Sequence, residues 1–292
     1  MLSGTNFSIF TLYFQELVSA HCEEEIMSAT EGVYFLGCRF DTGSIEKAVC
    51  SILAEMHGRF KYVVTPNVHH IVKMLDDPAT MQPLYERAWQ VFCDSRVLSR
   101  LARIHGRTLP VITGSDLTAH LIARAAELHL TIAIIGPASE VCAALIETYP
   151  GLDIVVHTPP MGFINSEHEI RKCVEFVLQT QAPLIFLGVG MPQQEMLASR
   201  IAGHPEARGI GLCIGASIDF LTGKQRRAPV WVQKAGLEWL HRLLSDPRRL
   251  ASRYLIECPR IFYHMYRVRR NVDRPGAMKP SFFRPGSGGD GE

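Results

Sequence analysis

From Val33 onward, short apolar runs alternate with stretches of helical periodicity. Val33-Tyr34-Phe35-Leu36 precedes a helix-like stretch from Ser44 to Met56, which Ser44 is placed to cap. Tyr62-Val63-Val64 ends at Pro66, and an amphipathic region then runs to about Trp89, with Asp77-Pro78 opening a new helix inside it. Val91-Phe92-Cys93 forms a further buried run with Asp94 at its end. Four more units repeat the rhythm. Thr131 to Ile135 leads to Gly136 and a helix from Ser139 to Thr148. Ile154 to Val156 leads through Pro159, Pro160 and Gly162 to a helix from Ser166 to Leu178. Leu184 to Leu187 leads to Gly188, Gly190 and a helix from about Gln193 to Ile201, and Ile210 to Ile214 leads to Gly215.

Continuous apolar runs separated by helices of this length are the mark of a parallel sheet covered on both faces. The expected fold is therefore α/β, a Rossmann-like, mostly parallel sheet with helices on both faces and a C-terminal helical appendage. After Gly223 no strand is apparent. Ala228-Pro229 is expected to open a helix running to about Leu244, Asp246-Pro247 to open another, and Pro259 to divide the rest of the segment. The organisation expected is a variable leader over 1–31, a body over 32–223, a basic helical appendage over 224–272 and a disordered tail over 273–292.

In such sheets ligands gather outside the carboxyl ends of the strands, where helix N-termini and free backbone N–H groups favour phosphate. Thr65, Asn67, Asp94, Gly136, Gly190 and Asp219 are the polar or glycine positions that end the runs. Thr65-Pro66-Asn67 is equally a tight turn. Asp94 suits a general base, or a cap for the helix starting near Val97. In Gly114-Ser115-Asp116-Leu117, Ser115 or Asp116 is placed to cap a helix or to meet a ligand. Gly188 to Glu195 is the strongest of these stretches: two glycines close a strand and let backbone approach a phosphate, while Gln193, Gln194 and Glu195, on the first turn of a helix, are placed to grip sugar or base hydroxyls. The dinucleotide fingerprint is absent, since Gln193 stands where its third glycine would be, and no Walker A loop or G-x-S-x-G elbow is present. Gly215 to Asp219 supplies another glycine-led strand end with a carboxylate.

The chain has 292 residues, 47% hydrophobic and 20% charged, which excludes a disordered acidic protein, a collagen-like repeat and a cysteine-stapled mini-domain. The net charge of +1 hides an asymmetry: residues 224–274 hold 13 Lys and Arg against 4 Asp and Glu, while residues 1–223 hold 15 against 23. Something anionic is expected at the basic segment, where arginines interleave with Trp239, Tyr254, Phe262, Tyr263 and Tyr266. Solvated helix faces, a nucleic-acid patch and a surface lying on anionic lipid all fit that composition. The appendage's apolar residues suit a subunit contact as well as a bilayer. The eight cysteines include no close pair, so a zinc knuckle is not expected, and most are expected to pack as small hydrophobes in a reducing compartment. No H-E-x-x-H occurs, and no secretory signal or spanning segment is apparent, so neither a metal nor any other cofactor is expected and a cytoplasmic location is.

Taken in order, these motifs resemble those of the bacterial WecG/TagA/CpsF glycosyltransferases. The likeness runs from about Val33 to Tyr254. It is carried by Thr65-Pro66-Asn67, the Asp94 turn, Gly114-Ser115-Asp116-Leu117, Gly188 to Glu195, Gly215 to Gly223, Arg227-Ala228-Pro229, and Gly236 to Leu244 followed by Pro247 and Arg248. The resemblance implies inverting, metal-free transfer of a sugar from a nucleotide-sugar, usually UDP-linked, to a polyprenyl-diphosphate-linked acceptor in extracellular polysaccharide, capsule or wall polymer synthesis. The same resemblance implies an enzyme lying peripherally on the inner face of the plasma membrane, with no nucleic-acid partner. Asp94 then matches the proposed base, Thr65 and Asn67 the turn near the donor sugar, and Gln194 the glutamine of the family's Gly-x-Pro-Lys/Arg-Gln-Glu motif. Appendage arginines, among Arg226, Arg227, Arg242, Arg248, Arg249 and Arg253, would meet the diphosphate. Three positions depart from the family pattern: Ser95 replaces a glycine after Asp94, Gln193 replaces a basic residue, and Leu109 to Gly114 lacks a customary arginine. A soluble nucleotide-sugar enzyme and an RNA- or membrane-binding module are the alternative readings.

Overall fold

Strand β1 (Gly32–Phe35) turns through Leu36 and Gly37, both at positive φ, into β2 (Cys38–Asp41), and the two pair antiparallel as a separate hairpin. The apolar run at 33–36 thus forms a hairpin rather than the first β-α unit that the rhythm suggests. This computed structural model describes residues 32–136, 139–215, 217, 218, 228, 229, 232 and 235–272, apart from the side chains of 139–142 and 268–272. The expected leader over 1–31 and tail over 273–292 lie outside the described residues.

The α/β alternation then unfolds as expected. In chain order come α1 (Ile45–Glu55), β3 (Lys61–Val64), α2 (Val68–Asp76), α3 (Pro78–Glu86), β4 (Gln90–Val91), α4 (Arg96–Ile104) and α5 (Gly114–Glu127). They are followed by β5 (Thr131–Ile135), α6 (Ser139–Thr148), β6 (Asp153–His157), α7 (Glu167–Thr180), β7 (Leu184–Leu187), α8 (Gln193–Ala202) and β8 (Ile210–Cys213). Six strands form one parallel sheet in the order β4-β3-β8-β7-β5-β6.

Alternation along the strands divides the interior into two cores. Tyr62, Val64, Ala133, Ile135, Ile185 and Leu187 face a core shared with Ile71 and Met74 of α2, Leu98 of α4 and Leu197 of α8. Their neighbours Val63, Ile132, Ile134, Leu184, Phe186 and Leu212 face the other, with Ile52 of α1 and Leu117, Leu121 and Ile122 of α5. Each such burial contributes about 1.5–3 kcal/mol, so the sheet is a stiff platform for whatever its edge carries. Cys38, Cys93, Cys173 and Cys213 are buried and free, as small hydrophobes should be, whereas Cys50 is disulfide-bonded and departs from that reading.

Capping corrects two assignments. Ser44 caps α1 and Asp77 caps α3, as the sequence suggests. Helix α4 is capped by Ser95, whose hydroxyl accepts from Leu98 N–H, so Asp94 is released from that duty. Helix α5 is capped by Thr113, one residue before Gly114, rather than by Ser115 or Asp116. The buried run at 91–93 is also shorter as a strand than it looks: only Gln90 and Val91 pair with β3, while Cys93 bridges to Val111.

The C-terminal part contains α9 (Glu238–Ser245), α10 (Pro247–Ala251), a π-helical segment (Ser252–Glu257) and α11 (Arg260–Val272). Asp246 caps α10, and the chain divides at Cys258-Pro259 before α11. A helix continuous to Leu244 does not form, because Gly236 at φ +73° turns the chain just before α9.

Candidate functional site

The parallel register fixes where the strands stop. Val64 pairs with both Val91 and Cys213, Cys213 with Leu187, Leu187 with Ile135 and Ile135 with His157, so every loop leaves the sheet at one height. At the middle of this edge Gly136, at φ +147°, packs on Gly188 so tightly that a Cβ would lie 3.0 Å from the Gly188 carbonyl carbon. Gly190 is also at positive φ, with open space where a Cβ would be. Gly136 is buried with its N–H donating to His157 O (3.0 Å), and Gly188 N–H donates to Ile135 O (2.8 Å), so these two glycines serve the close approach of two loops, while Gly190 stands half-buried at the rim.

Gln194 and Glu195 play a different part from the one read in the sequence. Both are buried, Glu195 at 1% exposure. Gly215 N–H donates to Gln194 Oε1 (2.9 Å), and Gln194 Nε2 donates to Glu195 Oε1 (2.8 Å). The pair braces the Gly215 loop from beneath. Burial pushes the Glu195 carboxyl up to about 7, against the opposing hydrogen bond from Gln194. His70 Nε2 lies 3.9 Å from Glu195 Oε1, and its Nδ1 lies 2.9 Å from Asn67 Oδ1. Burial, Arg253 and His69 keep the His70 ring well below its usual pKa, so it is neutral. Asn67 is the N-cap of α2, its Oδ1 accepting from His69 N–H (3.0 Å).

A cavity of about 320 Å³ opens at the other end of the edge, between the β4 terminus and the C-terminal helices. Asn67, Asp94, Thr113 and Asp116 line it from the sheet side; Glu238, Trp239, Arg242, Tyr254 and Phe262 line it from the other. Asp94 N–H donates to Pro66 O (3.1 Å) and Ile112 N–H to Cys93 O (3.0 Å), which ties together the three segments carrying the sheet-side residues. Gly114 N–H, at the start of α5, donates to the Asp94 carboxylate. Thr65 sits behind: a Cβ on Gly114 would meet Thr65 Oγ1 at 2.8 Å.

Desolvation raises the Asp94 carboxyl to about 7, Glu238 and Asp116 push the same way, and Arg242 and the Gly114 N–H pull it back. Arg242 donates to Glu238 Oε1 (3.0 Å); burial opposes its charge, but Glu238, Asp94 and Tyr254 outweigh that. A carboxyl titrating near neutrality, partly open to a cavity and held by a backbone donor, is equipped to take a proton from a substrate hydroxyl.

Of the residues singled out in the sequence, Asp94, Asn67, Asp116 and Arg242 line the cavity. Thr65 and Gly114 buttress it. Gly136, Gly188, Gly190, Gln193, Gln194, Glu195 and Gly215 belong to the glycine rim instead, and Arg248 is exposed on α10. Asp219 and Arg227 lie outside the described residues. Sequence reasoning missed Thr113, Glu238 and the ring-facing use of Trp239 and Tyr254. The aromatic–basic interleaving marked those rings, but nothing in it showed that they turn toward the sheet.

The C-terminal helices are pinned to α2. Asp76 meets Arg260 (2.8 Å) and His264 (2.9 Å), and Glu257 meets Lys73 (2.6 Å) and His69 (3.0 Å). Among the described residues no group of His, Cys, Asp and Glu is disposed to hold a metal, and no helix is long and apolar enough to cross a membrane.

Comparison with known proteins adds two findings. The sequence pattern of the family described as "Glycosyl transferase WecG/TagA/CpsF family" matches residues 33–275. The chain is also similar to an N-acetylglucosaminyldiphosphoundecaprenol N-acetyl-beta-D-mannosaminyltransferase of Bacillus spizizenii, 29% identical over 143 residues, which cover 47% of this chain and 53% of that one. The match thus spans about half the length of this relative.

Proposed function

Since the chain belongs to the WecG/TagA/CpsF family of glycosyl transferases, we propose that it moves a sugar from a nucleotide-sugar, probed first with UDP-sugars, to a saccharide carried on a polyprenyl diphosphate. The observation that carries this reading is Asp94, a carboxyl near neutrality that caps no helix and opens into a cavity. Asp94 removes the proton from the acceptor hydroxyl as that oxygen bonds to the anomeric carbon. The bond from that carbon to the donor phosphate breaks, and the nucleoside diphosphate leaves with its electron pair from the opposite face, so the configuration inverts. Base and leaving group stand on opposite sides of the reacting carbon, which fits a base at the β4 end and a glycine-rich rim further along the same edge. The Gly190 N–H, half-buried on the rim, together with arginine, is placed to meet the departing charge.

The same reading sets the protein against a membrane. Leu255, Ile256, Phe262, Tyr263 and Tyr266 are all more than half exposed, among Arg248, Arg249, Arg260 and Arg267. Aromatic and cationic side chains side by side suit a headgroup layer, where the lipid-borne acceptor resides.

The test is sugar transfer by the full chain to N-acetylglucosaminyl diphosphate on a prenyl chain, across a panel of UDP- and GDP-sugars, read by nucleoside diphosphate release. Transfer that survives a chelator and falls by about 10²–10⁴ in Asp94→Asn supports the reading. Asp94→Asn protein that folds and turns over near the normal rate overturns the role of Asp94.

A further inference from the structure

Trp239 and Tyr254 belong to different elements, α9 and the π-helical segment, yet their rings lie 6.1 Å apart at an interplanar angle of 51° on the wall of the Asp94 cavity. We propose that this aromatic wall holds the sugar ring of the acceptor, presenting one of its hydroxyls to Asp94. This rests on the function proposed above and extends it by naming the residues that select the acceptor.

The chemistry of the lining selects a sugar ring over other occupants. Three carboxylates, Asp94, Asp116 and Glu238, outnumber the two guanidinium groups of Arg96 and Arg242, and Arg242 is already paired with Glu238 at 3.0 Å. A diphosphate inside the cavity would meet net negative charge at short range, so the acceptor's own diphosphate stays at the mouth and only its sugar ring enters. A neutral ring meets none of that penalty. Its hydroxyls find acceptors in the carboxylates and in Asn67 and Thr113. Its C–H faces carry slight positive charge and are attracted to the electron-rich faces of Trp239 and Tyr254, where they also leave water.

Size agrees with this assignment. A cavity of about 320 Å³ is at the small end for ligand sites, which suits a single sugar ring. The nucleotide is left to the glycine rim, outside this cavity. Tyr254 is held in place from one side by the Arg253 guanidinium, 5.6 Å from its ring centroid, so the wall is set before the sugar arrives.

The experiment titrates the full chain, by calorimetry, with N-acetylglucosaminyl diphosphate on a short prenyl chain and separately with UDP. Trp239→Leu is expected to weaken binding of the prenyl-linked sugar about tenfold and to leave UDP binding unchanged, with Trp239→Phe recovering most of the loss. Tyr254→Leu gives the same pattern and stands in for Trp239→Leu should that variant not fold. Folded Trp239→Leu and Tyr254→Leu proteins that bind the prenyl-linked sugar as tightly as the parent overturn the inference and leave the proposed function standing. Equal loss of UDP and acceptor binding also overturns it, since the wall would then serve the nucleotide or the fold. A parent chain that binds UDP but not the prenyl-linked sugar overturns the acceptor class and this inference together.

Discussion

Gly114 approaches Thr65 so closely that a methyl group on it would lie 2.8 Å from Thr65 Oγ1, while its N–H donates to the Asp94 carboxylate. One backbone position therefore sets both the wall behind the base and the hydrogen bond that steadies it. Gly114→Ala should cost about 1–3 kcal/mol, as overpacking does. It should slow transfer by roughly 10- to 100-fold, since small displacements of a base are expensive. Thermal unfolding and initial rates check both; a variant with the stability and rate of the parent would show that Thr65 yields freely.

Asp94 gives the reaction its pH dependence. The base form is needed, and its carboxyl is raised to about 7, so the rate should climb through pH 7 and level off above it. Stability moves the other way. A carboxyl raised from 3.8 on folding binds its proton more tightly in the folded state, so the folded protein loses stability as pH rises from about 4 through 7. Asp94→Asn should therefore melt higher than the parent at pH 8 and close to it at pH 4. The opposite ranking at pH 8 would mean that Arg242 and Gly114 outweigh desolvation.

Glu195 and His70 add to this profile from the interior. Glu195 is likewise raised, to about 7, and favours the fold at lower pH. His70 is lowered, so its contribution is present above its unfolded pKa and fades as pH falls through and below about 6.5. The parent should be most stable slightly on the acid side of neutrality. Glu195→Gln keeps an acceptor for Gln194 and should raise stability at pH 8. Glu195→Leu leaves Gln194 Nε2 without its partner and should cost about 1–3 kcal/mol. Denaturant titrations at pH 5, 6 and 8 separate the two variants.

Asp76 anchors α11 through Arg260 and His264. Asp76→Ala should loosen that anchor by about 1 kcal/mol, which corresponds to roughly a fivefold rise in the open population. Limited trypsin digestion reads it directly, because the segment over 247–272 is rich in arginine. Cleavage there should accelerate while the sheet resists. Unchanged cleavage would mean that apolar packing around Ile261, 1% exposed, suffices to hold the helix.

Apolar periodicity located the strand from Lys61 to Val64 and those after Thr131 within a residue or so, because a strand buried on both faces has no room for polar side chains. Periodicity failed at the hairpin, where a two-residue turn at Leu36-Gly37 decides the pairing and the run itself looks like any other strand. Asp94 was visible from its place at the end of a run, but its freedom from capping depended on Ser95, an ambiguity only the backbone resolves. By their place at the start of a helix on the sheet edge, Gln194 and Glu195 are expected to face a ligand. They turn inward instead, and a helix's first turn has an inner face that composition does not mark. Glu238 and Trp239 come from sequence more than a hundred residues beyond Asp94, so no local pattern could place them beside it.

The hairpin formed by β1 and β2 has a consequence for the sheet as a whole. Asp41, almost wholly enclosed and paired with Arg39, accepts the Val91 N–H at 2.8 Å, so a side chain occupies a hydrogen-bonding group that the short margin strand β4 would otherwise offer to a stranger. The opposite margin, β6, is only half covered, and among the described residues it pairs with β5 alone. A strand adding to this sheet would therefore find its open margin at β6, across the sheet from the end that carries Asp94.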